Sequence, residues 1–168
     1  MSNLCGQKLP VEFKTVILNR NLGIYKNIEF LVKIKKLYEK YIDNLEDDFS
    51  PLRRQNYDFL KFLEEHSPCI YVISYRNNFC GFITLENIIG NQNNIYSAEI
   101  SICIKRKYWG KIALYIAQAF KKYCFQILKI TKLKALIYPQ NKLVRRLLTE
   151  CGFKKEAVLL SETLKNGN

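Results

Sequence analysis

A cationic turn with one glycine stands between an alternating apolar segment and a long amphipathic one. Lysine or arginine occupies four of its seven positions, Lys105-Arg-Lys-Tyr-Trp-Gly-Lys111. The apolar spacing after Gly110 predicts a helix that begins there, and the first turn of a helix presents free backbone N–H groups and a partial positive charge. The turn is therefore predicted to bind an anion, and a phosphate-bearing ligand suits it best.

The elements that must position this turn follow from the hydrophobic pattern. Alternating or continuous apolar runs predict strands at 13–18, 69–75, 79–88, 95–104, 133–138 and 153–164. Apolar residues at helical spacing predict helices at 28–45 and 51–65, after Gly110, and at 141–150. Asn77-Asn78 predicts a tight hairpin turn. This order indicates one mixed α/β domain over residues 1–168.

Size and composition fit a globular protein. The 168 residues are 48% hydrophobic, which is enough to form a core and argues against disorder. No apolar run approaches the roughly 20 residues of a membrane helix. The first residues form no apolar export signal, so we expect a cytoplasmic protein. The six cysteines form no CxxC pair and no Cys/His cluster, which favours reduced core residues and no metal site.

The net charge of +12 comes entirely from the second part of the chain. Residues 1–100 carry 12 basic and 12 acidic side chains, whereas residues 101–168 carry 15 basic and 3 acidic ones. Part of this excess reflects a lysine-rich surface, and the rest is a field that attracts polyanions such as a nucleotide cofactor, RNA or an acidic protein. No continuous basic tract with interleaved aromatics occurs, which disfavours nucleic acid as a partner.

Six short segments occur in one register between residues 68 and 164. They are Ala98-Glu-Ile100, Tyr108-Trp-Gly-Lys111, Tyr123-Cys-Phe125, Ala135 with Asn141, Arg146-Leu-Leu148 and Gly152-Phe-Lys-Lys-Glu156. Together they resemble the GNAT N-acetyltransferases, and most closely the branch of ribosomal-protein N-terminal acetyltransferases. The resemblance implies a mixed, mostly antiparallel sheet of about six strands, flanked by helices and splayed to hold acetyl-CoA.

The resemblance also implies which residues bind acetyl-CoA. The pantetheine arm would pair with the backbone of Ile102, Cys103 and Ile104. The pyrophosphate would lie on the cationic turn and the helix start, at Lys107, Trp109, Gly110, Lys111, Ile112 and Ala113. Asn141 matches an asparagine that contacts the cofactor arm, and it is equally typical of the N-cap of a short helix.

Three features depart from the family pattern. The turn passes from Lys111 directly to Ile112-Ala113 and is one residue short of W-G-K-G-x-A, because its second glycine is missing. Leu148 stands where many relatives have a tyrosine as general acid. The chain ends at Lys165-Asn-Gly-Asn168, so we expect the last family strand to be missing. A second copy of the chain could supply that strand, the flanking strands could pair directly, or the protein could be a truncated relative.

Acetyl transfer to an amine requires a proton acceptor near the amine, directly or through water. Glu99 is a carboxylate on a strand expected to be central and otherwise buried, so it is the candidate general base or amine-binding group, or else the structural partner of a basic residue. Glu86 on the preceding strand is the second choice. A backbone N–H near residues 103–105 would polarise the thioester oxygen.

Other reactive or aromatic residues are predicted to be structural. His66 lies at a helix end, where a capping role is expected rather than catalysis. Cys103 has no evident histidine partner, which disfavours a covalent mechanism. Tyr71, Tyr75 and Phe82 fit core packing better than an acceptor cleft.

We therefore expect an acetyl-CoA-dependent N-acetyltransferase that moves the acetyl group directly to a primary amine. The acceptor would be a protein N-terminus, an amino sugar or another small molecule, and the positive charge disfavours polyamines. The alternative is a non-catalytic GNAT-like binding module that acts through the basic C-terminal half. Acetyl-CoA and the amine are the expected partners, a homodimer is left open, and neither a metal nor a membrane is expected.

Overall fold

The apolar segments pair into one six-stranded sheet with helices on both faces. The computed structural model describes residues 10–19, 21–46, 48, 50, 59–91 and 94–159. The strands are β1 (Val11–Asn19), β2 (Ile24–Lys26), β3 (Ile70–Tyr75), β4 (Asn78–Asn91), β5 (Asn94–Ile104) and β6 (Lys132–Lys134). The helices are α1 (Leu31–Leu45), α2 (Phe59–His66), α3 (Lys111–Gln126) and α4 (Lys142–Glu150), and single 3-10 turns precede α1 and α3 at Ile28–Phe30 and Arg106–Tyr108.

The strand order is β2-β1-β3-β4-β5-β6. All neighbours are antiparallel except β5 and β6, which are parallel. Because α3 lies between β5 and β6 in the chain, it provides the crossover that a parallel pair needs. The mixed, mostly antiparallel sheet with flanking helices confirms the predicted fold class.

The core has two parts, one on each face of the sheet. One face buries the apolar stripe of α3, including Ile116, Phe120 and Cys124. The other face buries residues of α1 and α2, such as Ile34 and Leu63. Central strand β3 therefore reads as a continuous apolar run, since both of its sides are covered.

Several predicted elements differ from the structure. The strand predicted at 133–138 is reduced to β6, and residues 135–138 form no strand. The strand predicted at 153–164 is wrong for residues 153–159, and residues 160–164 lie outside the described ones. An exposed ion pair between Lys132 Nζ and Glu156 Oε2, 2.7 Å apart, links this segment to β6, and its described residues form no strand.

Turns and helix ends show smaller differences. The β3–β4 turn lies one residue earlier than predicted, because Arg76 and Asn77 carry the positive φ angles of 49° and 62°. Strand β2 was not predicted, since all three of its residues are exposed. The predicted start of the second helix at residue 51 lies outside the described residues. Within the described part of the chain, no helix has the length and apolar character needed to cross a membrane.

Candidate functional site

A gap opens beside β5, on the side that faces β6. Pairing between the two strands runs from Ser97–Lys132 to Glu99–Lys134 and then stops. Among the described residues, 100–104 of β5 have no strand partner on this side. The apex of the gap is therefore at Glu99, and the gap widens toward the cationic turn.

Strand alternation decides which backbone groups of β5 face the gap. The Lys105 N–H donates to the Cys80 carbonyl of β4 at 2.8 Å. Because N–H and C=O directions alternate along a strand, the backbone groups of Ile102 and Ile104 point the other way, into the gap. Two of the three predicted arm-binding residues thus present their backbone to the gap.

Cys103 alternates to the opposite side. A Cβ added to Gly81 of β4 would collide with the Cys103 carbonyl oxygen, so that carbonyl faces β4. The Cys103 backbone therefore does not face the gap as the predicted pairing with a cofactor arm requires, and for Ile102 and Ile104 that pairing stays a prediction. The thiol is buried, and burial raises the pKa of Cys103 to about 12, so it stays protonated and is a poor nucleophile at neutral pH.

The turn ends at the predicted helix start. Gly110 is the N-cap of α3, at φ 82° and ψ −132°, and no side chain of the described residues caps this end. The Leu114 N–H makes the bond back to the Gly110 carbonyl at 3.0 Å. The N–H groups of residues 111–113 therefore have no partner within the helix and are available to a phosphate.

The two residues that follow Lys111 pack toward the sheet. Ile112 is partly buried and packs on the core beneath α3, and Ala113 is buried in it. Their side chains therefore fill the position toward the sheet. One glycine is enough to make the turn, because only Gly110 in it has a positive φ.

The four cations of the turn do not act alike. Lys107 and Lys111 are exposed beside the helix start. Lys105 instead donates to the Phe79 carbonyl at 3.1 Å and lies 4.5 Å from the centre of the Phe79 ring. Burial, together with Lys107 and Lys33, lowers the pKa of Lys105. Lys105 thus fixes the end of β5 to β4, and the charges left for an anion are those of exposed neighbours.

Trp109 connects the turn to the gap and to α1. Its indole Nε1–H donates to the Ile104 carbonyl at 2.8 Å. Its ring lies 6.0 Å from the ring of Tyr41, near the end of α1. The sequence placed Tyr41 only on the apolar face of a helix, and no local signal links it to the turn.

Asn141 lies on the far side of the gap, at the start of α4. Its side-chain oxygen accepts from the Val144 N–H at 3.2 Å, which confirms the predicted N-cap. It also lines a cavity of about 260 Å³, between Asp43 and Asn44 of α1 and the segment 138–143. The helix-cap role of Asn141 is confirmed, and its predicted contact with a cofactor arm stays a prediction.

Glu99 marks the apex of the gap and stands beside a second carboxylate. Glu86 is its cross-strand neighbour on β4. Asn87 donates its side-chain amide to Glu99 Oε2 at 3.2 Å, and Thr84 donates its hydroxyl to Glu86. Glu99 lies on the same face of β5 as the Cys103 side chain, the face that α1 and α2 cover. The five residue steps from Glu99 to Ile104 place the acid about 17 Å along the strand from the turn.

The residues predicted to be structural pack as such. His66 Nδ1 lies 2.8 Å from the Phe62 carbonyl at the end of α2. Tyr71 contacts the Phe120 ring edge-on at 5.2 Å, and burial raises its pKa. Phe82 is 3% exposed, and Tyr75 packs on Tyr108. Among the described residues, no cluster of three or more His, Cys, Asp or Glu side chains could hold a metal ion.

Comparisons with known proteins agree with this architecture. A family model described as "Acetyltransferase (GNAT) domain" matches residues 38–154. Spermidine N-acetyltransferase from Vibrio cholerae, in complex with CoA and spermine, superposes with a TM-score of 0.66 at 23% identity over 94% of this chain and 89% of that one. Mycobacterium smegmatis RimJ, in complex with CoA-disulfide, gives 0.67 at 16% identity over 94% and 76%.

A third structure, a GNAT-family acetyltransferase from Bacillus anthracis, gives a TM-score of 0.67 at 16% identity over 94% of this chain and 88% of that one. At these identities the likeness concerns the fold. No curated protein matches the chain in sequence.

Proposed function

The chain belongs to the GNAT acetyltransferase family, and from that premise we propose that it is an acetyl-CoA-dependent N-acetyltransferase. The acetyl group would pass directly to a primary amine, either a protein N-terminus or an amine of an amino sugar or other small molecule. The observation that carries this proposal is the gap beside β5, which has the uncapped start of α3 at its open end and the Glu99 carboxylate at its apex.

The residues along the gap suit acetyl-CoA, which supplies the acetyl group as a thioester when bound. The backbone of Ile102 and Ile104 would hold the arm. The N–H groups of residues 111–113 would hold the pyrophosphate, and Gly110 gives the turn its shape. The exposed charges of Lys107 and Lys111 add attraction for a polyanion.

Glu99 would act on the acceptor amine. Amines are largely protonated at neutral pH and attack only when neutral, so a nearby carboxylate promotes the reaction by accepting the proton, directly or through water. The Asn87 amide holds the Glu99 carboxylate in place. A gap-facing N–H of β5 would polarise the thioester oxygen, as in an oxyanion hole. As the C–N bond forms, the thioester C–S bond breaks and CoA leaves as a thiolate. Leu148 has no proton to donate, so the proposal includes no tyrosine acid and the thiolate takes its proton from water.

The net positive charge of this chain favours some classes of acceptor amine over others. The Vibrio cholerae relative was solved with spermine, a polycation, whereas this chain carries a net charge of +12. Long-range repulsion would slow the approach of a polycation and favour neutral or anionic acceptors. A protein N-terminus in an acidic context or a phosphate-bearing amino sugar fits this field.

The experiment is an acetyl-CoA consumption assay against three acceptor types. Release of free CoA thiol is followed with peptides of varied N-terminus, with amino sugars and with spermidine. We expect turnover with one of the first two and little with spermidine. The absence of turnover with every acceptor, combined with no acetyl-CoA binding in calorimetry, would favour the non-catalytic module instead.

A further inference from the structure

Trp109 is placed where three parts of the molecule meet. It precedes Gly110 in the turn, its indole N–H occupies the gap-facing carbonyl of Ile104, and its ring contacts Tyr41 of α1. A ligand arm that lies along β5 would therefore meet the indole directly. The ring is still 46% exposed, so it is not simply a core side chain.

Tyr41 stands at a bend in α1. Its φ and ψ of −118° and 17° are non-helical, within a helix that otherwise continues to Leu45. The Tyr41 ring has two neighbours of different kinds. The charged Lys40 Nζ lies 5.7 Å from its centre, and the Trp109 ring makes the aromatic contact. The bend separates the last turn of α1, residues 42–45, from the straight part of the helix.

The segment beyond the bend forms one wall of the cavity near Asn141. Asp43 and Asn44 line that cavity from α1. The Glu46 N–H closes the helix on the Ile42 carbonyl at 2.9 Å, and the Tyr38 hydroxyl also bonds to the Glu46 carboxylate. A shift of Tyr41 would therefore be passed to Asp43 and Asn44, which form the α1 wall of this cavity.

We infer that Trp109 is a positioning residue, and that Trp109 and Tyr41 form a latch that couples the turn to the last turn of α1. The inference rests on the proposed function for the identity of the ligand, acetyl-CoA. Binding on β5 fixes the indole, the indole fixes Tyr41, and the bend in α1 is the element that responds. By reciprocity, a ligand that orders residues 42–45 strengthens binding at the turn.

The latch is tested first without ligand, by hydrogen exchange of the Glu46 amide. Trp109→Phe keeps a ring but removes the N–H, and Tyr41→Leu removes the ring contact. We expect each variant to speed this exchange by about twofold to tenfold, as expected for loss of one aromatic pair. The double variant should exchange no faster than the faster single one, because the two residues act as a unit.

The matched control is Tyr25→Leu, which removes a half-exposed tyrosine from edge strand β2. It should leave the exchange of Glu46 unchanged. The latch would be overturned if the double variant accelerated Glu46 exchange by the product of the two single effects. It would also be overturned if the control accelerated this exchange as much as the latch variants do. This comparison needs no ligand, so it decides the latch even if the proposed function fails.

The coupling is tested next with acetyl-CoA, after calorimetry has measured its binding to each protein. In the unmodified chain, acetyl-CoA should slow exchange of Glu46, and the emission of Trp109, the one tryptophan of the sequence, should change on titration. Tyr41→Leu should still bind acetyl-CoA but lose most of the slowing. Equal slowing in both proteins would overturn the coupling, since a merely structural contact changes stability without changing the response to ligand. Failure of the unmodified chain to bind would refute the proposed function separately.

Discussion

Replacing Gly110 by alanine tests whether the shape of the turn creates the anion site. At φ 82° and ψ −132° the glycine occupies a region that other residues reach only with strain. A Cβ at this position would meet nothing within 4 Å, so the cost of the substitution is conformational and not a clash. That strain is about 1–3 kcal/mol.

The strain must appear in stability, in affinity or in both. If the turn keeps its shape, the free energy of unfolding falls by about 1–3 kcal/mol and acetyl-CoA affinity is retained. If the turn relaxes, the N–H groups of residues 111–113 leave their positions and acetyl-CoA affinity falls. The full strain of about 1–3 kcal/mol would correspond to a loss of about 5-fold to 150-fold. The loss in free energy of unfolding and the loss in binding free energy should therefore add up to the strain energy.

Urea unfolding and calorimetry with acetyl-CoA measure the two losses in the same variant. The matched control is Gly23→Ala, because Gly23 also has a positive φ of 62° and open space around it, but lies in the β1–β2 turn. The control should lose stability and keep its affinity. A Gly110→Ala variant with unchanged stability and unchanged affinity would refute the reasoning.

Three further predictions concern the apex, the α4 cap and the buried thiols. Glu99→Gln should fold normally and lose most turnover, because the amide accepts no proton. Glu86→Gln should lose less turnover. Full turnover of Glu99→Gln in the thiol-release assay would remove Glu99 from the mechanism. Asn141→Ala should lower stability by about 1 kcal/mol through loss of the cap. Asn141→Ser keeps a capping oxygen, so any acetyl-CoA affinity that it loses in calorimetry reports contact with the ligand. Equal affinity in the unmodified chain and in both variants would show that Asn141 does not contact acetyl-CoA. Burial raises the pKa of Cys103 and Cys124 to about 12, whereas the pKa of a thiol in the unfolded chain is about 8.5. The folded state then holds more protons between these values, so stability should be full below the lower value and fall as pH rises through the window; equal urea midpoints at about pH 8 and about pH 10 would contradict this.

Local chemistry explains the parts of the fold that the sequence predicted. Gly110 and Asn141 begin α3 and α4, and Gly152 follows the end of α4 with a positive φ of 81°. Each of these signals acts within a few residues of itself. The apolar stripe of α3 and the alternation of β5 likewise depend on short-range spacing, which is why their places were predictable.

The parts that were missed depend on distant partners. Residues 153–159 carry the pattern of a strand, but they pair with no strand, and Glu156 forms an exposed ion pair with Lys132. The direction of the Cys103 carbonyl is set by its register with Gly81 of β4. The contact of Tyr41 with Trp109 joins two elements from opposite halves of the chain. Spacing along the sequence carries no information on any of these three.

The central claim is that the gap beside β5 binds acetyl-CoA. The most direct test is a titration of the protein with acetyl-CoA, followed through its backbone amides by NMR. We predict that the largest shifts occur at the gap-facing amides of Ile102 and Ile104 and at residues 111–113, while the amide of Cys103, which is directed at β4, shifts less. Saturable binding with shifts elsewhere, or no shifts at millimolar acetyl-CoA, would contradict the claim.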